Sequence, residues 1–189
     1  MKRSQINSAI QRATEFFQVN GWILPPNPAW DVTDFGLGDF DREGLVLVNL
    51  ADEPEYSEKL IFAEKHQKTP AHCHHKKKED IICRVGLLVV EVWPETPATC
   101  ASGTTFQVQI NNEKYSLNAG SRIRLKAGER LTVVPGTYHS FYPELDGCII
   151  GEVSTANDDI NDNFFVNPKV GRFSEIEEDE SALVKLISY

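Results

Sequence analysis

Between residues 72 and 86 the chain reads His-Cys-His-His-Lys-Lys-Lys-Glu-Asp-Ile-Ile-Cys-Arg-Val-Gly. His72 and His74 are two apart, and on an extended strand such residues share a face. Both imidazoles can then meet one ion. Glu79 lies five positions after His74, which puts it on the wrong face of an uninterrupted strand. The intervening His75-Lys76-Lys77-Lys78 must turn or bulge for the carboxylate to join the histidines. Gly86 marks the next turn. A second segment, from Gly128 to His139, offers a strand, a Pro135-Gly136 turn and a histidine just beyond. Three imidazoles and one carboxylate are an ordinary ligand set for Mn²⁺, Fe²⁺, Co²⁺, Ni²⁺ or Zn²⁺. The chain holds 5 histidines in all, so three in register argue against scattered surface residues. Of the other two, His66 reads as a loop residue, and His75 points away from His72 and His74 if the strand continues.

Two further features could carry chemistry. Glu152 sits in the apolar run Cys148-Ile-Ile-Gly-Glu-Val-Ser154. A carboxylate there is expensive to bury unless it is paired or functional, and it suits a general base or acid. The plainer alternative is a structural pair with an arginine, or a solvent-facing position. The segment that follows is dense in hydrogen-bonding side chains: Asn157, Asp158, Asp159, Asn161, Asp162 and Asn163. Beside a metal centre this looks like polyol recognition, because sugar hydroxyls need donors and acceptors together; otherwise it is an Asx-rich turn. Asn167 to Phe173 then supplies a rigid, basic lip. The run Lys76-Lys77-Lys78 is either a solvated turn or the source of a substrate-binding lysine. Trp22, Trp30, Phe62, Trp93, Phe106, Phe141 and Tyr142 are core by type, with a few available to stack on a sugar ring.

The elements that must hold these residues are mostly strands. Residues 4–19 have apolar positions at helical spacing (Ile6, Ala9, Ile10, Ala13, Phe16, Phe17), with Ser4 able to cap the start and Asn20-Gly21 to stop it. The proline-rich 24–28 cannot be helix interior or central strand and reads as an arm over the barrel or a neighbouring subunit. From about residue 44 short apolar runs follow at 44–49, 58–65, 87–93, 105–110, 114–117, 122–125, 131–134 and 147–154, separated by turn signals. Asn111-Asn112 is a hairpin signal. The pattern predicts a mainly β jelly roll of about eight strands. The acidic 175–180 reads as a solvated segment or a helix start.

The 189 residues suit one domain, divided as an N-terminal helix and arm (1–43), a β-barrel core (44–165) and a C-terminal segment (166–189). Lys plus Arg is 19 and Asp plus Glu is 28, a net charge of −9, which argues against a nucleic-acid partner. No apolar stretch approaches the ~20 residues that span a bilayer, and Met1-Lys2-Arg3 is not followed by a signal-like apolar core. Cys73, Cys83, Cys100 and Cys148 form no Cys-x-x-Cys pair, which suits a reduced, cytoplasmic setting. Cys73, between the two ligand histidines, faces away from them and reads as packing.

His72-x-His74, Glu79 and Gly86, followed by Gly128, Pro135-Gly136 and His139, resemble the two motifs of the cupins. That resemblance implies a jelly-roll barrel with an N-terminal helix and short helical additions, and one divalent metal held by His72, His74, Glu79 and His139. Further stretches resemble the D-lyxose isomerase branch: Lys65-His-Gln67-Lys-Thr69-Pro70, Lys76-Lys77 before Glu79-Asp80-Ile81-Ile82, Pro135-Gly136-x-x-His139-Ser-Phe, Gly151-Glu152-Val153-Ser154 with Asn157 to Asn163, and Gly171-Arg172-Phe173 before the acidic run. Together they cover about residues 60–180. Cys73 and His75 stand where the family pattern has bulkier aromatic residues, a departure that bears on pocket shape.

The resemblance implies an aldose–ketose isomerase acting on D-lyxose, and usually D-mannose, with a divalent metal, often Mn²⁺, in a homodimer. On it, Glu152 is the base that moves the C2 proton, Asp162 orients or relays protons, and Lys65, Gln67, Lys76 and Arg172 hold hydroxyls. Two other functions use the same ligand set: a metal-dependent cupin dioxygenase, which consumes O₂, and a non-catalytic sugar-binding cupin, which needs no carboxylate at 152.

Overall fold

The computed structural model describes residues 1–171 and 175–187. Helix α1 (Arg3–Val19) leads into β1 (Ala29–Thr33), the one-turn helix α2 (Phe40–Glu43), β2 (Leu45–Asp52) and β3 (Tyr56–Glu64). Then come β4 (His72–Cys73), β5 (Glu79–Val85), β6 (Leu87–Trp93), β7 (Thr105–Ile110) and β8 (Glu113–Asn118). The last strands are β9 (Ser121–Lys126), β10 (Arg130–Val133), β11 (Tyr138–Pro143), β12 (Gly147–Thr155) and β13 (Phe164–Phe165). One sheet has the order β1-β2-β3-β12-β5-β10-β7-β8 and the other β13-β4-β11-β6-β9. The late strand β12 lies between β3 and β5, the crossing pattern of a jelly roll.

Period-two alternation decides what each strand offers. On β3, Ile61 and Ala63 face the space between the sheets, where Ile81, Val90, Leu125 and Ile150 meet them. Leu60 and Phe62 face outward, under Ile6, Ile10, Ala13 and Phe17 of α1. Phe17 is fully buried, so its truncation would cost about 3–5 kcal/mol. On β12, Ile149 faces α1 and Ile150 the interior, so the same parity turns Glu152 inward.

Several boundaries differ from expectation. The described residues contain thirteen strands, not about eight, because 29–33, 72–73, 79–85, 138–143 and 164–165 are strands too. The Asn111-Asn112 hairpin forms, both residues having positive φ (50° and 71°) between the paired β7 and β8. Gly86 has φ +91°, and a Cβ there would lie 2.5 Å from the Gly147 carbonyl oxygen, so this turn requires glycine.

Ser4 does not cap α1. The helix begins at Arg3, and the acidic run, expected to be a solvated segment or a helix start, closes over the start of α1. Arg3 donates from Nε and Nη2 to Glu178 at 2.8 and 2.7 Å. Ser4 donates its N–H and hydroxyl to Asp179 at 2.9 and 2.7 Å, and Asn7 donates to Glu180 at 2.6 Å. Carboxylates at a helix N-terminus also complement its dipole. Arg3 holds the Glu178 carboxyl below its ordinary range, and the Ser4 hydrogen bonds do the same for Asp179. Depressed carboxyl pKa values stabilise docking above the unfolded values of about 4 and lose that contribution as pH falls through the folded ones. Acidification from about pH 6 to about pH 3 is therefore expected to speed amide exchange in the first turn of α1, before the barrel strands respond. Equal protection at both pH values would show that the tail contributes nothing.

Candidate metal centre and active site

β4 pairs with β11 so that His72 and His139 are direct cross-strand partners, and His74 follows one residue past β4. The ligating atoms of the three imidazoles lie within 4.8 Å of one another. Each Nδ1 faces a backbone carbonyl: His72 to Pro70 at 2.9 Å, His74 to Asp162 at 2.8 Å and His139 to Thr137 at 3.2 Å. A carbonyl only accepts, so each Nδ1 carries the proton and each Nε2 turns a lone pair inward. Glu79, at the start of β5, places Oε1 2.9 Å from His139 Nε2 and 3.5 Å from His74 Nε2. His74 Nε2 is buried without a hydrogen-bond partner. Lone pairs converging on a carboxylate oxygen are favourable with a cation among them, and this donor set could hold a divalent metal. Burial, then the neighbouring His139 and His74, holds His72 well below its ordinary pKa; it is neutral, the ligating form. Burial opposes the charge of Glu79, but Lys77 holds its carboxyl well below the ordinary range.

The turn that brings Glu79 round is built on Asp162. Its carboxylate accepts from the backbone N–H of His75 (2.8 Å), Lys76 (3.1 Å) and Lys77 (2.8 Å). Burial pushes the Asp162 carboxyl up, but the amides of Lys77, His75 and Lys76 hold it below its ordinary value. Its carbonyl also fixes the His74 ring. Asp162→Ala is expected to cost about 2–4 kcal/mol, a Tm loss of roughly 5–15 °C, with weaker metal binding. An unchanged Tm in calorimetry would remove Asp162 from this role.

Glu152 faces Lys59 directly across the β12–β3 pair. Its Oε1 lies 3.0 Å from Lys77 Nζ and 3.6 Å from Lys59 Nζ. Lys77 also reaches Glu79 Oε2 at 2.7 Å, so one buried ammonium links the two inward carboxylates. Burial disfavours that charge, but Glu152 and Glu79 together raise the Lys77 pKa, so it stays protonated. These groups open onto a cavity of about 120 Å³ that His72, His74, His139, Lys59, Lys77 and Glu152 line on the polar side. Phe35, Phe141 and Phe165 also line it; Phe165 packs beside His72 at 5.2 Å, and Phe35 meets Phe165 edge-on at 6.0 Å.

The structure brings His72, His74, His139, Glu79 and Glu152 together and leaves other candidates outside. Lys65 is exposed beside Asp146 at 3.5 Å. Gln67 is buried away from the cavity, accepting from the Glu64 N–H at 2.7 Å and donating to the Phe40 carbonyl at 2.9 Å. Lys76 is exposed. Arg172 lies outside the described residues. Within the Asx-rich loop, Asp159 and Asn163 line the cavity. Asp158 instead accepts from Asn161, and Asn157 from Lys59 at 3.3 Å. Neither Cys73 nor His75 borders the cavity; Cys73 is fully buried, and exposed His75 stacks on Phe164 at 3.8 Å. Sequence reasoning left Lys59 unread and Lys77 undistinguished from its neighbours. Lys77 had a signal: two residues from Glu79, it shares that residue's face.

An antiparallel two-sheet jelly roll with inward histidines beside one cavity is a cupin-type barrel. A sequence profile of the D-lyxose isomerase family matches residues 27–189. A D-lyxose/D-mannose isomerase of Serratia proteamaculans is 37% identical, covering 95% of this chain and 93% of the relative. One of Escherichia coli O157:H7 is 35% identical over 98% and 96%, and the D-lyxose ketol-isomerase of Cohnella laeviribosi is 32% identical over 95% and 100%. Among solved structures, L-ribose isomerase of Cellulomonas parahominis with L-ribose superposes with a TM-score of 0.69, at 16% identity over 94% of this chain and 98% of that one, a likeness of fold. The chain belongs to the D-lyxose isomerase family.

Proposed function

We propose that the protein interconverts D-lyxose and D-xylulose, and D-mannose and D-fructose, by proton transfer between C1 and C2 of the open-chain sugar. The observation that carries this reading is the inward Glu152 carboxylate beside the histidine cluster in one cavity. It is supported by the activities named for the 35–37% identical relatives. His72, His74, His139 and Glu79 would hold the metal, and the chemistry such an ion supplies when bound is Lewis-acid polarisation of the sugar carbonyl. Glu152 takes the C2 proton as the aldose C1=O becomes an enediol oxygen. It returns the proton to C1 while the C2 hydroxyl proton passes to O1 and the C2 oxygen becomes the ketone, so no atom is gained or lost overall. Lys77 fixes Glu152 relative to Glu79, and Lys59 holds it from the neighbouring strand. Phe35, Phe141 and Phe165 give the cavity its apolar lining.

Of the ions this donor set accepts, Mn²⁺ is the proposed one, with Zn²⁺, Co²⁺, Fe²⁺ and Ni²⁺ as competitors; metal analysis of the purified protein tests it. A homodimer and a cytoplasmic setting complete the proposal. Sedimentation tests the first, and the free cysteines support the second. The deciding assay strips the protein, adds Mn²⁺ and D-lyxose, and looks for D-xylulose by chromatography. Ketose that appears only with metal carries the proposal; none from D-lyxose or D-mannose despite a filled site sinks it. Turnover in D₂O separates the routes, since proton transfer labels the product and a hydride shift does not.

A further inference from the structure

Three rings stand in register across the smaller sheet. His139 pairs with His72, and His72 pairs with Phe165. Centroid to centroid, the His72 ring lies 4.3 Å from His139 and 5.2 Å from Phe165. β13 ends this sheet, so no further strand flanks Phe165 among the described residues. A ring from the other sheet abuts it instead: Phe35, just past the edge strand β1, meets Phe165 edge-on at 6.0 Å.

Phe35 stands in the left-handed region, at φ 55°, an outlier for a bulky side chain. Such a conformation costs energy and persists where the surroundings fix it. Here they do. The Phe35 N–H donates to Thr33 Oγ1 at 2.8 Å, and its carbonyl accepts from the Gly171 N–H at 2.9 Å. The Asp34 carboxylate accepts from the N–H groups of Gly36 and Gly38 at 2.9 and 3.2 Å. A Cβ on Gly36 would lie 3.3 Å from the Gly171 nitrogen, so the segment is also tightly packed there. Strain of this kind gathers at functional sites, and the ring this backbone delivers lines the cavity. Of the three histidines, His72 is the least buried. The hydrogen bond from its Nδ1 to the Pro70 carbonyl, at 2.9 Å, leaves the ring able to swing about that contact. Packing on Phe165 opposes the swing.

Resting on the metal-centre reading, we propose that Phe35 is a positioning residue: it holds Phe165 against His72 and so aims His72 Nε2 at the ion. Phe35 acts through Phe165 and is not itself a ligand.

The test titrates Mn²⁺ into stripped full-length protein by calorimetry and records the electron paramagnetic resonance spectrum of the bound ion. Phe35→Gly removes the ring and, at a positive φ, relieves the backbone. It is expected to weaken Mn²⁺ binding about 10–100-fold, as for loss of an outer-shell partner, and to change the spectrum. Phe165→Leu should do the same. The double variant should lose no more than the larger single loss, because the two act in series. A role in packing alone would lower the melting temperature but leave affinity within about twofold and the spectrum unchanged; that result, or additive losses, would overturn the proposal. If Phe35→Gly does not fold, Phe35→Leu fills the space without a ring. Its loss should be smaller and should vanish on the Phe165→Leu background, and no loss at all would be equally fatal. In the metal-free protein, the His72 ring-proton resonances should move in Phe35→Gly, and unmoved resonances would also count against the role. If the wild type binds no divalent ion yet those resonances move, the metal reading fails and Phe35 still sets the His72 ring. If the wild type binds Mn²⁺ and Phe35→Gly binds it equally, the positioning role fails and the metal reading stands.

Discussion

Glu152→Gln is expected to lower turnover of D-lyxose by about 10²–10⁴-fold while the protein keeps its metal and its fold. The amide preserves the size of the side chain but cannot accept the C2 proton. Both lysines that flank Glu152 retain another partner: Lys77 keeps Glu79 at 2.7 Å and Lys59 keeps Asp159 at 3.5 Å. No buried ammonium is orphaned, which separates this change from the usual cost of breaking a buried ion pair. The histidine cluster is untouched. Three measurements on one preparation decide the matter: metal content, melting temperature, and solvent deuterium entering the product. Near-normal turnover would remove Glu152 as the base, and metal loss would mean that it acts through the ion site instead.

His74→Ala should do the reverse, with metal and activity lost together. Its Nε2 is buried and has no hydrogen-bond partner within the protein, while Nδ1 is anchored on the Asp162 carbonyl at 2.8 Å. Removing an outer-shell partner of a metal-binding histidine already costs 10–100-fold in affinity; loss of the imidazole itself should cost at least about 100-fold. Activity should follow occupancy, with partial recovery in excess Mn²⁺, a rescue not open to Glu152→Gln. Full occupancy in the variant would break the ligand assignment. Together the two variants divide the site into an ion-holding part and a proton-moving part.

The histidines were legible because the strand period is two and needs no tertiary information: His72 and His74 share a face whatever lies around them. Glu79 was legible through a contradiction, since its parity demanded a turn, and the structure supplies one. What stayed hidden depended on partners far away in sequence. Lys59 is acceptable in the interior only because β12 sets Glu152 opposite it, and no local pattern announces that register. Asp162 was singled out for its type, but its carboxylate is turned to three backbone amides and builds the turn. Lys65, Gln67 and Lys76 sit near the ligands in sequence, yet the chain's path sends two into solvent and ties Gln67 to the Phe40 carbonyl. β1 was masked by the prolines before it.

The closure of the acidic tail over α1 fixes an order of events during synthesis. Arg3 bonds to Glu178, 175 residues later. At roughly 5–20 residues per second the ribosome needs about 10–35 s to deliver that partner. For most of that interval the helix's apolar stripe also lacks Ile149 of β12, which helps to form its docking face. The first element to emerge is thus among the last to be secured. A nascent chain halted before residue 175 would carry an amphipathic helix whose first turn lacks its acidic partners, so the tail reports that translation has passed the barrel.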